Sequence, residues 1–470
     1  MKLNNGGKPF IIILTALAIV AVVSLLPLGR LTGGYLSDFN LLGDIMPRHE
    51  NEARLSPGTP AENIDPELLK LEANDSISRA MASDSIVRTD SAIQAEPELP
   101  HLRPTLVDGE VAIEDYSTDG NGMKALKDAI REGRLARIAF LGDSYIEGDI
   151  LCQDFRAMMQ ERYGGSGVGY MNLHSEFPGF RQSVRQDGKG WKELSVRKGA
   201  KSEYIGLSEN YFIPSGKATA SYKGVNKIKC ADSWDVSRLL VVAPRGGQVK
   251  THIDSDTTDW TINTLEPSPE VQCVRIDGRT SQFKLETSTE SLVALGVWLD
   301  SRSGVSVDCM SSRGYSGLTL SKTSLELCRQ ESSFVNYQLI ILEFGINAMS
   351  SEQSDYSVYA KGMARVIGHL RQCYPGAGIL IMGIGDRGEK RGGEVHSMYS
   401  AEGMVTAQRN AARMTGSMFW DTREAMGGNE SIVAYASEGL ANKDYVHLTH
   451  KGGKRLAGHL FNAFTKVIDQ

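Results

Sequence analysis

Three short stretches carry side chains that could perform acyl transfer together. Gly142-Asp143-Ser144 closes the apolar run Arg137 to Leu141. A serine hydroxyl at such a strand-to-helix turn stands exposed, with its backbone N–H at the positive start of the next helix. Gly142 relieves crowding in that turn, and Asp143 can brace it by accepting backbone hydrogen bonds. Phe344-Gly345-Ile346-Asn347 follows a second apolar run, Tyr337 to Phe344. The Asn347 amide could donate to a developing oxyanion, a contribution of about 3 kcal/mol. Capping the next segment is the plainer role for an asparagine there. The third stretch is Asp444-Tyr445-Val446-His447. Its spacing lets the carboxylate reach one imidazole nitrogen and leaves the other free to take a serine proton. His450 has no acidic residue three positions upstream, and His459 falls inside the last helical run, so His447 is the expected base. Gly-Asp-Ser alone is a common turn, so the set of three carries the reading.

Elements able to position these residues alternate along the chain. Met123 to Glu132, Asp154 to Tyr163 and Tyr356 to Cys373 have helical spacing, and a final helix containing Phe461 is expected after Lys451. A further buried strand is expected over Gly378 to Gly383. Strand, turn and helix in succession indicate an open α/β sheet, whose ligands bind beyond the carboxyl ends of the strands. From Arg181 to Arg302 the pattern changes to short runs of Val, Ile, Thr, Tyr and Trp broken by Gly, Asp, Ser and Pro. Strands without intervening helices indicate a sandwich or barrel. The simplest architecture is an α/β domain interrupted by an all-β module, both insertion ends lying near one edge of the active-site face.

The N-terminal part has another character. Phe10 to Leu28 is uncharged and apolar, and its ~19 residues match a hydrocarbon core of about 30 Å. Lys2 and Lys8 precede it and Arg30 follows. A cleaved signal peptide is the rival reading, but no small-x-small site follows, so an uncleaved anchor is expected. Residues 31–119 read as an acidic, flexible tether. The net charge of −6 gives no electrostatic reason to expect nucleic acid as a partner. The six cysteines form no CxxC pair and have no histidines at metal-ligand spacing. Buried thiols are expected, with one or two disulfides left open by an extracytoplasmic location.

On these blocks the sequence resembles the SGNH hydrolases, the GDSL esterase/lipase family. Gly142-Asp143-Ser144 resembles the first block, Gly314-Tyr315-Ser316-Gly317 the second, Gly345-Ile346-Asn347 the third, and Asp444 with His447 the last. The resemblance implies a flavodoxin-like, three-layer α/β fold and a Ser144-His447-Asp444 catalytic set. It also implies an oxyanion hole from the N–H groups of Ser144 and Gly317 and the side chain of Asn347, with no metal or organic cofactor. Two departures are Ala348, where many members have aspartate, and Tyr145, where the family's name has leucine. An inserted β-rich module resembles the plan of bacterial peptidoglycan and polysaccharide O-acetylesterases. In some of those proteins the insertion resembles a carbohydrate-binding module.

The implied organisation is an anchor or signal segment at 1–30, a tether at 31–119, an SGNH domain at 120–180 and 305–470, and the β module at 181–304. The implied activity is removal of O-acetyl or other short acyl groups from cell-envelope or other polysaccharide, in the periplasm or at the cell surface. The implied partners are an acylated polysaccharide or peptidoglycan, and a membrane through residues 10–28. The alternatives are an O-acetyltransferase using the same residues and a non-catalytic glycan-binding protein. Trp191, Trp234, Trp260 and Trp298 lie in the insertion; each is expected in the core, although an exposed one could stack on a sugar ring.

Overall fold

The structure is a computed structural model that describes Lys70 and residues 106–107, 110–253 and 259–470. The anchor expected over 10–28 and most of the expected tether lie outside the described residues. Among the described residues, no helix is long and apolar enough to cross a membrane.

Two parts can be traced between Glu110 and Gln470. The α/β body comprises β1 (Glu114–Asp115), α1 (Lys124–Arg131), β2 (Leu135–Gly142), α2 (Cys152–Tyr163), β3 (Gly304–Ser311), α3 (Leu325–Ser332), β4 (Leu339–Glu343), α4 (Ser357–Cys373), β5 (Gly378–Met382), α5 (Ala401–Thr415), β6 (Met418–Trp420) and α6 (His450–Ile468). Its sheet runs β3-β2-β4-β5-β6-β1, parallel except for the antiparallel edge strand β1. The central strands are apolar on both faces, as a parallel sheet covered on both sides requires. Ile138 and Phe140 of β2 share one core with Leu126, Phe155 and Phe464 from α1, α2 and α6. Ala139 and Leu141 point the other way and share a core with Leu327, Val366 and Met404 from α3, α4 and α5. Period-two alternation thus assigns neighbouring residues to opposite layers. The tether boundary needs correction, because Glu114 and Asp115 pair with Phe419 and Met418.

The second part is a nine-stranded antiparallel sheet between Gly167 and Asp300. Strand Asn210–Gly224 pairs with Val184–Ser195 along one edge; its other edge pairs with Gln282–Thr287 and, at Phe212, with Ala294. That branching folds the sheet around a core containing Phe212, Tyr222, Trp234, Leu239 and Phe283. The module begins earlier than residue 181: Gly167–Met171 pairs with the strand Val293–Asp300. The crossings between the two parts also differ from expectation. Val305 N–H donates to the Gly164 carbonyl at 2.8 Å, and Gly304 lies opposite Leu135 at the start of β2. The chain therefore leaves and re-enters at the amino end of the sheet, away from the turn after Gly142.

Buried charge fastens the join. Arg137 of β2 donates to Asp300 at 2.6 Å and to Asp308 of β3 at 3.0 Å, while Arg238 donates to Asp300 at 2.5 Å. Tyr337 hydroxyl and Tyr170 N–H also donate to Asp308. Of the inserted tryptophans, Trp191, Trp234 and Trp298 are buried, and Trp260 is 39% exposed. All six cysteines are free thiols, four of them buried.

Candidate active site

The parallel register brings the carboxyl ends of β2, β3 and β4 side by side. Ser311 lies opposite Gly142, and Glu343 lies on the other side of Gly142. Gly142 is needed for that closeness: a Cβ there would stand 2.8 Å from the Glu343 carbonyl oxygen and 2.9 Å from its Oε2. Ser144 follows, half-buried. Its Oγ is 2.9 Å from Nε2 of His447, and Nδ1 of His447 is 2.8 Å from Oδ2 of Asp444.

The loop bearing His447 is held by backbone pairing and a side-chain cap. Asn442 N–H donates to the His447 carbonyl, Ala441 bridges Leu448, and Thr449 caps α6 by accepting from Gly452 N–H. Tyr445 takes φ of 56°, a left-handed conformation uncommon outside glycine. That turn lets Oδ1 of Asp444 accept the Val446 and His447 N–H groups at 2.9 and 3.0 Å while Oδ2 faces the imidazole. Burial opposes ionisation of Asp444, but the hydrogen bond and charge of His447, with the two backbone donors, outweigh it and hold the carboxyl below its usual range.

Asn347 comes to the same place by a different contact. Its Nδ2 donates to Oδ2 of Asp143 at 2.8 Å and to the Tyr315 carbonyl at 3.1 Å. Both amide N–H bonds are engaged, so Asn347 can serve an oxyanion only by sharing one of these hydrogen bonds or turning it from its acceptor. Gly317 has φ of 86°, and a Cβ there would lie 2.7 Å from the Phe344 ring. Only glycine fits that loop without displacing the ring.

Asp143 is fully buried, and its Oδ1 accepts Tyr145 N–H at 2.9 Å, the bracing expected of it. Burial pushes its carboxyl up to about 7, against the pull of the Tyr145 and Asn347 hydrogen bonds and the His447 charge. Glu343 beside it is also buried, with Oε2 lacking a hydrogen-bond partner. Burial and the Asp143 charge push it well above its usual range. Sequence reasoning missed Glu343 and also Arg387, whose Nη1 donates to the Ile346 carbonyl at 2.9 Å. Burial depresses the Arg387 guanidinium, opposed by the nearby carboxylates, Asp143 and Asp444 among them. The available signal was position: Arg387 follows β5 as Asn347 follows β4.

The two rival histidines, His450 and His459, lie in other contacts. His459 is bonded to Glu110 at 2.9 Å. His450 packs edge-on against Phe180 with ring centroids 6.0 Å apart. A serine, an imidazole and a carboxylate in hydrogen-bonded sequence, beside an oriented amide, can generate an alkoxide and stabilise imidazolium. The three cation-binding candidates Asp149, Cys152 and Cys309 lie within 4.8 Å of one another. Asp149 is already bidentate with Arg156 at 2.7 and 2.8 Å, so that cluster reads as an ion pair beside two thiols.

No family model matches the chain, and no curated protein matches it. Among solved structures, one described as a peptidoglycan O-acetylesterase in action aligns with 76% of this chain and 99% of its own, at 21% identity and a TM-score of 0.63. The two share a fold. A family two carbohydrate esterase from Cellvibrio japonicus aligns with 61% of this chain and 98% of its own, at 11% identity and a TM-score of 0.26. An acetyl xylan esterase aligns with 34% and 81%, at 19% identity and the same TM-score. Scores that low carry no argument.

Proposed function

We propose that the chain is an SGNH-type serine esterase that removes O-acetyl or other short acyl groups from a polysaccharide of the cell envelope. The observation that carries this is the continuous relay Ser144–His447–Asp444, with links of 2.9 and 2.8 Å. The shared fold with a structure described as a peptidoglycan O-acetylesterase supports the choice of ester and of polymer. An extracytoplasmic location and a membrane anchor over residues 10–28 belong to the same reading.

The chemistry is two-step acyl transfer. His447 Nε2 takes the Ser144 proton as Oγ attacks the ester carbonyl, and the carbonyl π electrons move to oxygen. N–H groups of Ser144 and Gly317, with an Asn347 amide N–H redirected from its acceptor, donate hydrogen bonds to that oxyanion. Asp444 stabilises the imidazolium and fixes its tautomer. The acyl C–O bond breaks as His447 protonates the departing sugar oxygen, which leaves as a hydroxyl. Water, deprotonated by His447, then attacks the acyl-serine, releasing acetate and restoring Ser144.

The test is acetate release from acetylated peptidoglycan, acetylated xylan and an acetylated surface polysaccharide, side by side, with Ser144→Ala protein as the control. Release from at least one polymer by the wild type alone is expected. Equal release by both proteins, or none from any polymer or from 4-nitrophenyl acetate, contradicts the proposal.

A further inference from the structure

Among the described residues, seven arginines are buried or half-buried. Six of them meet a carboxylate within 3.2 Å: Arg137, Arg156, Arg181, Arg238, Arg409 and Arg423. Arg387 is the exception. Its hydrogen bond runs from Nη1 to the Ile346 carbonyl at 2.9 Å, and no described carboxylate is paired with it. Drawing a cation out of water without a counter-ion is costly, so an arginine held this way calls for a partner from outside.

Its position says where that partner would arrive. Arg387 lies just beyond β5, at the carboxyl end of the parallel sheet, where open α/β sheets bind ligands. Ile346, which its side chain holds, precedes Asn347, and Asn347 donates to Asp143 beside Ser144. Gly388 N–H donates to the Tyr445 carbonyl at 2.8 Å, and a Cβ on Gly388 would stand 2.6 Å from the Tyr445 Cβ. Tyr445 lies between Asp444 and His447 in the chain. Residues 387 and 388 therefore span the gap between the Asn347 loop and the His447 loop. The carboxylates around the guanidinium are already committed. Asp143 accepts the Tyr145 and Asn347 N–H groups, Asp444 holds His447, and Glu389 lies 3.2 Å from Arg391.

With Nη1 given to Ile346, the Nε and Nη2 edge has no acceptor among the described residues. Neither nitrogen is one of the sealed, unsatisfied polar atoms of the fold, so that edge reaches water. A guanidinium edge presents two parallel N–H groups at the spacing of a carboxylate. We infer that Arg387 is a specificity residue for an acidic substrate, its free edge taking a carboxylate on the sugar whose ester is carried to Ser144. The inference rests on the esterase reading for its role, but the carboxylate binds whether or not the ester is cleaved. It narrows the substrate to a polymer whose acylated sugar is itself acidic, through a carboxyl on the ring or on a short substituent.

The probes are the ortho, meta and para acetoxybenzoates, which set an acetyl ester at three distances from a carboxylate, and the matching uncharged acetoxybenzamides. Full-length Ser144→Ala protein, which leaves the esters intact, is titrated with each by ligand-observed NMR. At least one acid is expected to bind about tenfold more tightly than its amide, by a margin that shrinks at high salt. Adding Arg387→Gln should erase that margin. Adding Arg387→Lys should keep only part of it, because an ammonium lacks the two-pronged edge. With Ser144 present, kcat/KM should show the same acid-to-amide preference and the same loss. Arg387→Gln also removes the Ile346 contact and slows both esters, so the ratio is the readout rather than the rate. The inference is overturned if no acid binds more tightly than its amide, or if the margin survives Arg387→Gln. Should Arg387→Gln protein fail to fold, a margin undiminished in Arg387→Lys overturns it equally. Arg387-dependent binding of an acid, without hydrolysis of any acetyl ester, overturns the esterase reading alone.

Discussion

The join between the two parts and the carboxyl end of the parallel sheet both bury carboxylates, but they treat the charge differently. At the join, Asp300 and Asp308 meet Arg137, and Asp300 also meets Arg238. At the carboxyl end, Asp143 is met by N–H donors, and Glu343 leaves Oε2 without a partner. Paired charges in a dry interior resist separation, since removing one partner strands the other. Carboxyls buried without a paired cation take up protons easily and have displaced pKa values, a common property of functional sites. The join therefore holds geometry, and the carboxyl end of the sheet displaces the titration of its acids.

Substitutions in the relay should have the largest effects. Ser144→Ala or His447→Ala should each lower kcat by about 10⁶-fold, and the double variant should be little worse than either. Additive losses in steady-state kinetics would show that the two do not act as a unit. Asp444→Asn should cost about 10⁴-fold by favouring the wrong imidazole tautomer, read as kcat on a small acetyl ester.

Arg137→Met tests the other side of the contrast. It leaves Asp308 without a cation and Asp300 with Arg238 alone, and should destabilise the fold by roughly 3–5 kcal/mol, read by chemical denaturation. A loss below about 1 kcal/mol would mean that the join does not depend on the pairing. Asn347→Ala should reduce kcat about 10²- to 10³-fold. Because Asn347 also donates to Asp143, that variant should shift the pH profile as well as the rate.

A further expectation concerns pH and stability. The folded Asp143 carboxyl is raised from 3.8 to about 7 by burial, so the neutral form is favoured in the folded state. Its contribution is complete below about pH 4 and is lost as pH rises through about 7, at no more than about 1.4 kcal/mol per pH unit. Asp444 has the opposite sign: its lowered pKa gives stability that is lost as pH falls through the acid range. Denaturation midpoints from pH 4 to 8 should flatten in Asp143→Asn relative to the wild type. An unchanged slope would show that Asp143 is not the group responsible.

The side chains that the structure joins in the Ser144–His447–Asp444 hydrogen-bonded series stand out in sequence because their information is local. Ser144 directly follows its strand, and Asp444 lies three residues from His447. Asn347 was legible as a strand-end donor, but its bond to Asp143, 204 residues away, was not. Glu343 and Arg137 looked like members of apolar runs, since nothing local marks a buried carboxyl or a guanidinium whose partners arrive from the far side of an insertion. Gly167–Met171 is short and glycine-broken, with no alternation to separate it from the α/β body. Glu114–Asp115 is charged and only two residues long, so its edge pairing had no hydrophobic signature. The inserted strands were readable as strands.

The most direct test of the central claim is peptide mass mapping after treatment of the full-length protein with a serine-directed fluorophosphonate. One adduct is expected, on the peptide containing Ser144, formed far more slowly in His447→Ala protein and absent from Ser144→Ala protein. An unlabelled Ser144 in protein that hydrolyses an acetyl ester, or undiminished hydrolysis by folded Ser144→Ala protein, would contradict the assignment of Ser144 as nucleophile.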